Sequence, residues 1–203
     1  MRKLLPVAVS ILGLAFASSP QAQASQGPAA PPPKAPPAME PPTSVAQSLD
    51  RQFGFVEHDL VPLVEAMPAD KFDFAPPGEG FKGVRTFKQQ VGHVAAAIYL
   101  ASATLLGEPS SLTEEDLKGG PARLKTKEDC VSFLKGAFAE GHKAIAGVSE
   151  KNLLEVVGPK DRLRGTRLGL ANFVTWHSFD HYGQLVVYLR MNGLVPPASR
   201  ERQ

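Results

Sequence analysis

The chain has 203 residues, 43% of them hydrophobic, with 22 Lys and Arg against 20 Asp and Glu and a single cysteine. That length suits one ordinary domain plus extensions. With no basic run or Arg/Lys stripe, the composition argues against nucleic acid as a partner. Cys130 alone allows no internal disulfide, so stability has to come from an apolar core.

Residues 1–24 have the layout of a secretory signal peptide. Arg2 and Lys3 give a charged start, Leu4 to Ala17 an apolar run, and Ala22-Gln23-Ala24 a small-residue cleavage site. No cysteine follows that site, which argues against a lipid anchor. The run also falls short of the ~20 residues that span a bilayer, so no stable membrane anchor is expected after cleavage. Loss of Arg2 and Lys3 leaves 20 basic and 20 acidic side chains, a net charge of zero. Export to the periplasm or the medium is the expected destination. Residues 25–42, almost entirely Pro and Ala beyond Gln26, cannot bury enough apolar surface to fold and read as a disordered, semi-rigid linker. Residues 43–197 then form the domain, and 198–203 a tail.

Within the domain the pattern predicts four helices. Ser44-Val-Ala-Gln47 has capping-box form, followed by Val45, Leu49, Gln52, Val56, Leu60, Leu63 and Met67 at helical spacing. Pro68 closes this helix, and Pro62 predicts a bend or an early end with a short continuation. Thr86 to Gln89 opens the second, which runs through Val91, His93, Val94, Ala97, Ile98 and Leu105 to Gly107. Being apolar nearly all round, it is expected to be central. Thr126 to Asp129 opens the third, with Cys130, Leu134, Ala137, Phe138, Gly141 and Ile145 inward; Cys130 reads as a small buried hydrophobe. Leu170 to Asn192 is the fourth, stopped by Asn192-Gly193 and then Pro196-Pro197. No stretch alternates with period two, so the expected class is all-α. The connections are roughly twenty residues long, unusual unless functional or wrapped over the surface. The one between the second and third helices is long enough for a crossover bundle.

The fourth helix carries the chemistry. Leu170, Phe173, Val174, His177, His181, Gln184, Leu185 and Tyr188 share one stripe at about 100° per residue. A buried polar group without a partner costs roughly 1–3 kcal/mol, so a row of them on an apolar face needs a reason. His177 and His181, one turn apart, can both reach one divalent ion. His93, among alanines of the second helix, can supply a third imidazole where another helix approaches closely. Such a His₃ site leaves coordination positions open for water or substrate. Imidazoles suit zinc, nickel, iron or copper alike. The alternative is a set of ordinary hydrogen-bonded core histidines. His58 falls on the solvated face, and His142 at the edge of the third helix's buried stripe.

Asp180 lies beside the histidine face, where it can accept a hydrogen bond from a ligand imidazole. His177-Ser-Phe-Asp180-His181 also has the spacing of the inverted zinc-protease motif, but with Asp where that motif uses Glu, and in a domain without strands. Gln184 and Tyr188 continue the stripe and either hold substrate or a metal-bound water, or form a polar pair bonded across the bundle. Asp180, Gln184 and Tyr188 are thus the candidate catalytic groups beside the metal ligands His93, His177 and His181.

A histidine in the second helix, then His177, His181, Gly183, Gln184, Leu185, Tyr188, Leu189, Arg190, Gly193, Pro196 and Pro197 in the fourth, resembles the DinB-like superfamily. The segment from Met67 to Pro76 resembles the stretch that follows the first helix in that family. The resemblance spans Thr43 to about Pro197. It implies a metal-binding four-helix bundle with a long crossover, commonly a homodimer. The three histidines would hold a divalent transition metal, often zinc or nickel. It further implies, for some members, activation of a low-molecular-weight thiol for S-transfer or isomerisation. The expected function is therefore an exported, metal-dependent enzyme, hydrolytic or group-transferring, acting on a small molecule. The competing expectation is a protein that binds a metal or small ligand without turnover.

Overall fold

The four long helices begin at side chains that close the first turn. Thr86 accepts from the amide of Gln89 at 3.2 Å while the Gln89 side chain accepts from the Thr86 amide at 2.9 Å. Thr126 and Asp129 repeat this box at 3.1 and 2.9 Å. At Ser44 only half of the box forms: Ser44 accepts from Gln47, but the Gln47 side chain turns to the amide and hydroxyl of Thr43. The bonds accepted by Ser44, Thr86 and Thr126 each satisfy a backbone N–H that the helix leaves orphaned.

The computed structural model describes residues 40–200; the signal peptide and nearly all of the linker expected upstream lie outside them, as do residues 201–203. Among the described residues there are five α-helices: α1 (Val45–Ala66), α2 (Phe87–Leu106), the short α3 (Asp116–Gly119), α4 (Lys127–Ala146) and α5 (Arg167–Met191). The four long ones are those the periodicity predicts. The first runs unbroken through Pro62, so the early end does not occur. Pro62 removes one amide, but Leu60, Leu63 and Val64 around it are buried, and that packing outweighs one lost bond. The fourth starts a turn earlier than expected, at Arg167, capped by Thr166, whose hydroxyl accepts from Gly169 at 3.0 Å.

Two elements depart from the sequence reading. The α4–α5 connection holds a minimal antiparallel ladder, β1 (Val156–Val157) with β2 (Gly165–Thr166). Two residues per strand are too few to show alternation. Helix α3 has four residues, below the length at which periodicity is readable.

Helices α1 and α2 sit diagonally, each packing on both α4 and α5. The α1–α2 connection delivers α2 at the C-terminal end of α1, where the Phe87 amide bonds Phe74 and the Lys88 amide bonds Phe72. Helix α4 begins at the same end, with Lys127 reaching the Glu65 carbonyl. Helices α2 and α4 are thus parallel neighbours, and residues 107–126 return the chain along α2. This is the crossover the loop length allowed. The core is aromatic at the α1–α4 seam, where the rings of Phe53 and Phe138 lie 4.9 Å apart. Gly141 makes room there: a Cβ at this position would stand 2.5 Å from the Phe53 ring. Cys130 is fully buried, and burial raises its thiol to about 11, the behaviour of a core hydrophobe.

The crossover is pinned where backbones touch. A Cβ on Gly92 would lie 2.2 Å from the Gly119 carbonyl oxygen, and one on Gly120 2.8 Å from the Gly92 Cα. Gly120 also has φ +88°, open to glycine alone at little cost. This three-glycine crossing lays α3 on the first half of α2 and sets up the site.

Candidate metal centre

Helix α5 runs antiparallel to α2, which sets His177 and His181 opposite His93. The three ring centroids are 5.1, 4.8 and 4.6 Å apart, each pair edge-on. One nitrogen from each ring lies within 4.8 Å of the other two. Nitrogens sharing a tetrahedral ion sit roughly 3.3 Å apart, given a bond of about 2.0–2.1 Å. Small rotations about the imidazole torsions close that difference.

The hydrogen bonds around the rings select which nitrogen faces inward. The Nδ1–H of His93 donates to the Leu117 carbonyl, brought there by the glycine crossing. The Nδ1–H of His181 donates to Gln90 Oε1 at 2.6 Å. Both bonds leave Nε2 as the free lone pair, the arrangement in which supporting acceptors orient ligand histidines. His177 is held instead by its ring, stacked on Phe173 at 4.9 Å with Trp176 edge-on at 5.8 Å. Its Nε2 is buried without a hydrogen-bond partner. An orphaned polar atom at the centre of two other free lone pairs fits a cation that takes all three.

Electrostatics agree with that chemistry. Burial, with the neighbouring His93 and Arg85 adding to it and Asp180 opposing, lowers His177 to about 4. Burial, then His177, His93 and Arg85, lowers His181 to about 3. His93 is lowered by burial too, against the pull of its Leu117 bond. All three rings are therefore neutral near pH 7, the form that ligates.

The other predicted residues form a chain leading away from the rings. Gln90 Nε2 donates to Gln184 Oε1 at 2.8 Å, and Gln184 Nε2 donates to Asp180 Oδ2 at 3.1 Å. Asp180 is exposed and touches His181 only through these two amides, not directly as expected. Gln184 is likewise exposed, at the edge of the stripe rather than in its middle. The Tyr188 hydroxyl donates to the Arg85 carbonyl at 2.9 Å, securing the entry to α2. His58 is solvated, its side chain 84% exposed. His142 is half-buried and far along the bundle in a separate cluster with Asp50 and Glu57.

Gln90, Leu117 and Arg85 are participants that sequence reasoning missed. Gln90 had a readable signal: it precedes His93 by three, on the same side of a nearly all-apolar helix, and is as anomalous there as the histidine. Leu117 acts through its backbone, which no side-chain pattern reveals. Beside the rings lies an open cleft of ≈ 690 Å³ with Arg85, Gln89, Gln90, Lys118 and Gln184 in its walls. Gln90 is shared between cleft and ring cluster.

Three solved structures share the fold: DinB-like proteins from Bacillus cereus ATCC 10987 (TM-score 0.59, 13% identity, covering 76% of this chain and 96% of that one) and Bacillus subtilis (0.57, 16%, 76% and 99%), and a protein assigned to the DinB family from Exiguobacterium sibiricum 255-15 (0.53, 17%, 73% and 91%). No curated protein matches the chain. The sequence profile of the DinB superfamily matches residues 52–185, more than half of the chain and all three histidines, and the chain belongs to that superfamily.

Proposed function

We propose that this protein binds a divalent transition metal, zinc or nickel, through His93, His177 and His181, and uses it on a small molecule in a hydrolytic or group-transfer reaction. The observation that carries the reading is the convergence of three imidazole nitrogens from two helices within 4.8 Å, one of them buried and unpartnered. Bound there, such an ion would polarise a substrate oxygen or lower the pKa of a water or thiol nucleophile.

The chain's own residues bind, orient and exclude. Gln90 and the Leu117 carbonyl fix the tautomers of His181 and His93. Phe173 and Trp176 shield the His177 ring on its outer side. The cleft, walled by Gln90 and Gln184 beside the rings, has room for a small molecule. Asp180, ending the amide chain at the surface, is the carboxylate available to take up a proton.

A second reading, metal or ligand binding without turnover, is favoured by one specific feature. The hydrogen-bonding groups of Gln184 and Tyr188 are engaged in bonds that brace the fold, which leaves few free acid–base groups beside the rings. Elemental analysis of untagged protein tests the shared part: close to one transition metal per chain is expected, and metal-free yet fully folded protein overturns it. Activity that vanishes with chelator and returns with metal then separates enzyme from binder.

Export belongs to the same proposal, carried by the three-part pattern of residues 1–24. Amino-terminal sequencing of protein from the extracytoplasmic fraction should begin at Ser25.

A further inference from the structure

One cation in the cleft beside the ring cluster forms no ion pair among the described residues. Arg85 is half-buried in the wall of the cleft, just ahead of the Thr86 cap. Its Nε–H donates to the Lys118 carbonyl at 2.5 Å, and its own carbonyl is held by Tyr188. Both ends of the residue are therefore anchored, one to the crossover and one to α5. No carboxylate lies within ion-pairing distance of its guanidinium among the described residues.

The other cation of the cleft is paired. Lys118 pairs with Glu115 at 2.7 Å, and Asp116 Oδ2 accepts from the amide and hydroxyl of Thr113 at 2.8 Å. The remaining polar groups are the neutral amides of Gln89, Gln90 and Gln184. With Nε fixed, the outer edge of the guanidinium presents two parallel N–H groups, the geometry that grips a planar carboxylate in two bonds. With the Asp116 carboxylate in the same wall, a single unpaired cation suits a singly charged carboxylate better than a phosphate dianion. The Lys118 carbonyl that holds its Nε directly follows the Leu117 carbonyl that holds His93, which places the guanidinium near the ring cluster.

We propose that Arg85 is the substrate-recognition residue of this site, and that the natural ligand is a small molecule whose carboxylate sits on Arg85 while its reacting group reaches the three-histidine centre. This inference rests on the metal-site reading above.

Matched thiol probes separate the two. Cobalt(II)-loaded protein would be titrated with mercaptoacetate, mercaptopropionate and mercaptobutyrate, and with the corresponding amides, following the near-ultraviolet thiolate-to-cobalt absorption. Acid and amide share the metal-binding sulfur and differ only in the carboxylate. In the wild type at least one acid should bind about tenfold tighter than its amide, the advantage of a charge-assisted bond. Arg85→Gln should bind cobalt as before but erase the preference. Lys118→Gln, which keeps the carbonyl that anchors Arg85, should preserve it. A wild type that binds cobalt without preferring any acid overturns the role of Arg85, as does an equal loss from Lys118→Gln. Failure to bind cobalt at all overturns the metal reading instead.

Discussion

Gln90 accepts the Nδ1–H of His181 at 2.6 Å, so a side chain outside the three-histidine set decides which imidazole nitrogen faces the centre. Its other end donates to Gln184, which fixes the amide's orientation and leaves no ambiguity about which atom accepts. Gln90 is buried and cannot be replaced by water without rearrangement.

Replacing Gln90 by Leu should therefore weaken metal binding 10- to 100-fold, the usual loss when a supporting partner of a ligand histidine is removed. Competition against a coloured chelator measures it. Unchanged affinity would mean that the bond does not orient the ring.

His177→Ala should weaken metal retention by more than about 100-fold, beyond the loss of any supporting bond. His58→Ala should leave it unchanged, because that side chain is solvated and pairs only with Asp59 at 3.0 Å. Equal effects of the two changes would contradict the placement of the site.

Gly92→Ala tests the crossing of α2 and α3. The added methyl would stand 2.2 Å from the Gly119 carbonyl, against backbone that has no rotamer to change. A loss of roughly 1–3 kcal/mol is expected from such overpacking. Metal affinity should fall as well, since the shift lifts the Leu117 carbonyl from His93. Denaturant titration and metal competition read the two effects; a destabilised variant with undiminished metal affinity would separate the crossing from the site.

His142 should contribute to stability with a definite sign against pH. Its ring bonds Asp50 at 2.5 Å and Glu57 at 3.0 Å. Burial alone would lower its pKa, but the two carboxylate bonds outweigh burial and raise it above 6.5. The folded chain thus holds this proton more tightly than the unfolded one. The contribution is complete below pH 6.5 and is lost as pH rises through the folded value. Urea titrations of wild type and His142→Gln should show the largest stability gap in mild acid and a smaller one in base. A gap that widens with pH would contradict the imidazolium assignment.

Metal affinity at the three-histidine centre should respond to pH in its own way. With the rings of His177 and His181 lowered to about 4 and about 3, protons compete weakly through mild acid. Affinity should stay nearly level where an exposed histidine site already fails, near 6.5, and fall as pH approaches 4. Isothermal titration across that range measures it, and a decline centred near 6.5 would refute the buried, neutral rings.

The four long helices and the histidine set were legible in the sequence because both are local properties. Caps at Thr86 and Thr126, a stop at Asn192-Gly193 and a helical stripe depend on residues a few positions apart. The β1–β2 ladder and α3 were not legible, since each is shorter than the period that would reveal it. Within the site, Asp180 was visible as a neighbour of His181 in sequence, yet its link to the ring passes through Gln184 and Gln90 on two different helices.

By itself the sequence determined which faces are apolar, where the helices stop, and that polar groups interrupt the wrong face of α5. These follow from hydrogen-bond bookkeeping and burial over one or two turns. Only the tertiary structure decided that His93 meets His177 and His181, that Leu117 and Gln90 choose their tautomers, and that Arg85 lines the cleft without a carboxylate partner. Those outcomes depend on α2 and α5 running antiparallel in one register and on three glycines letting two backbones touch. Both are packing choices made between segments far apart in the chain.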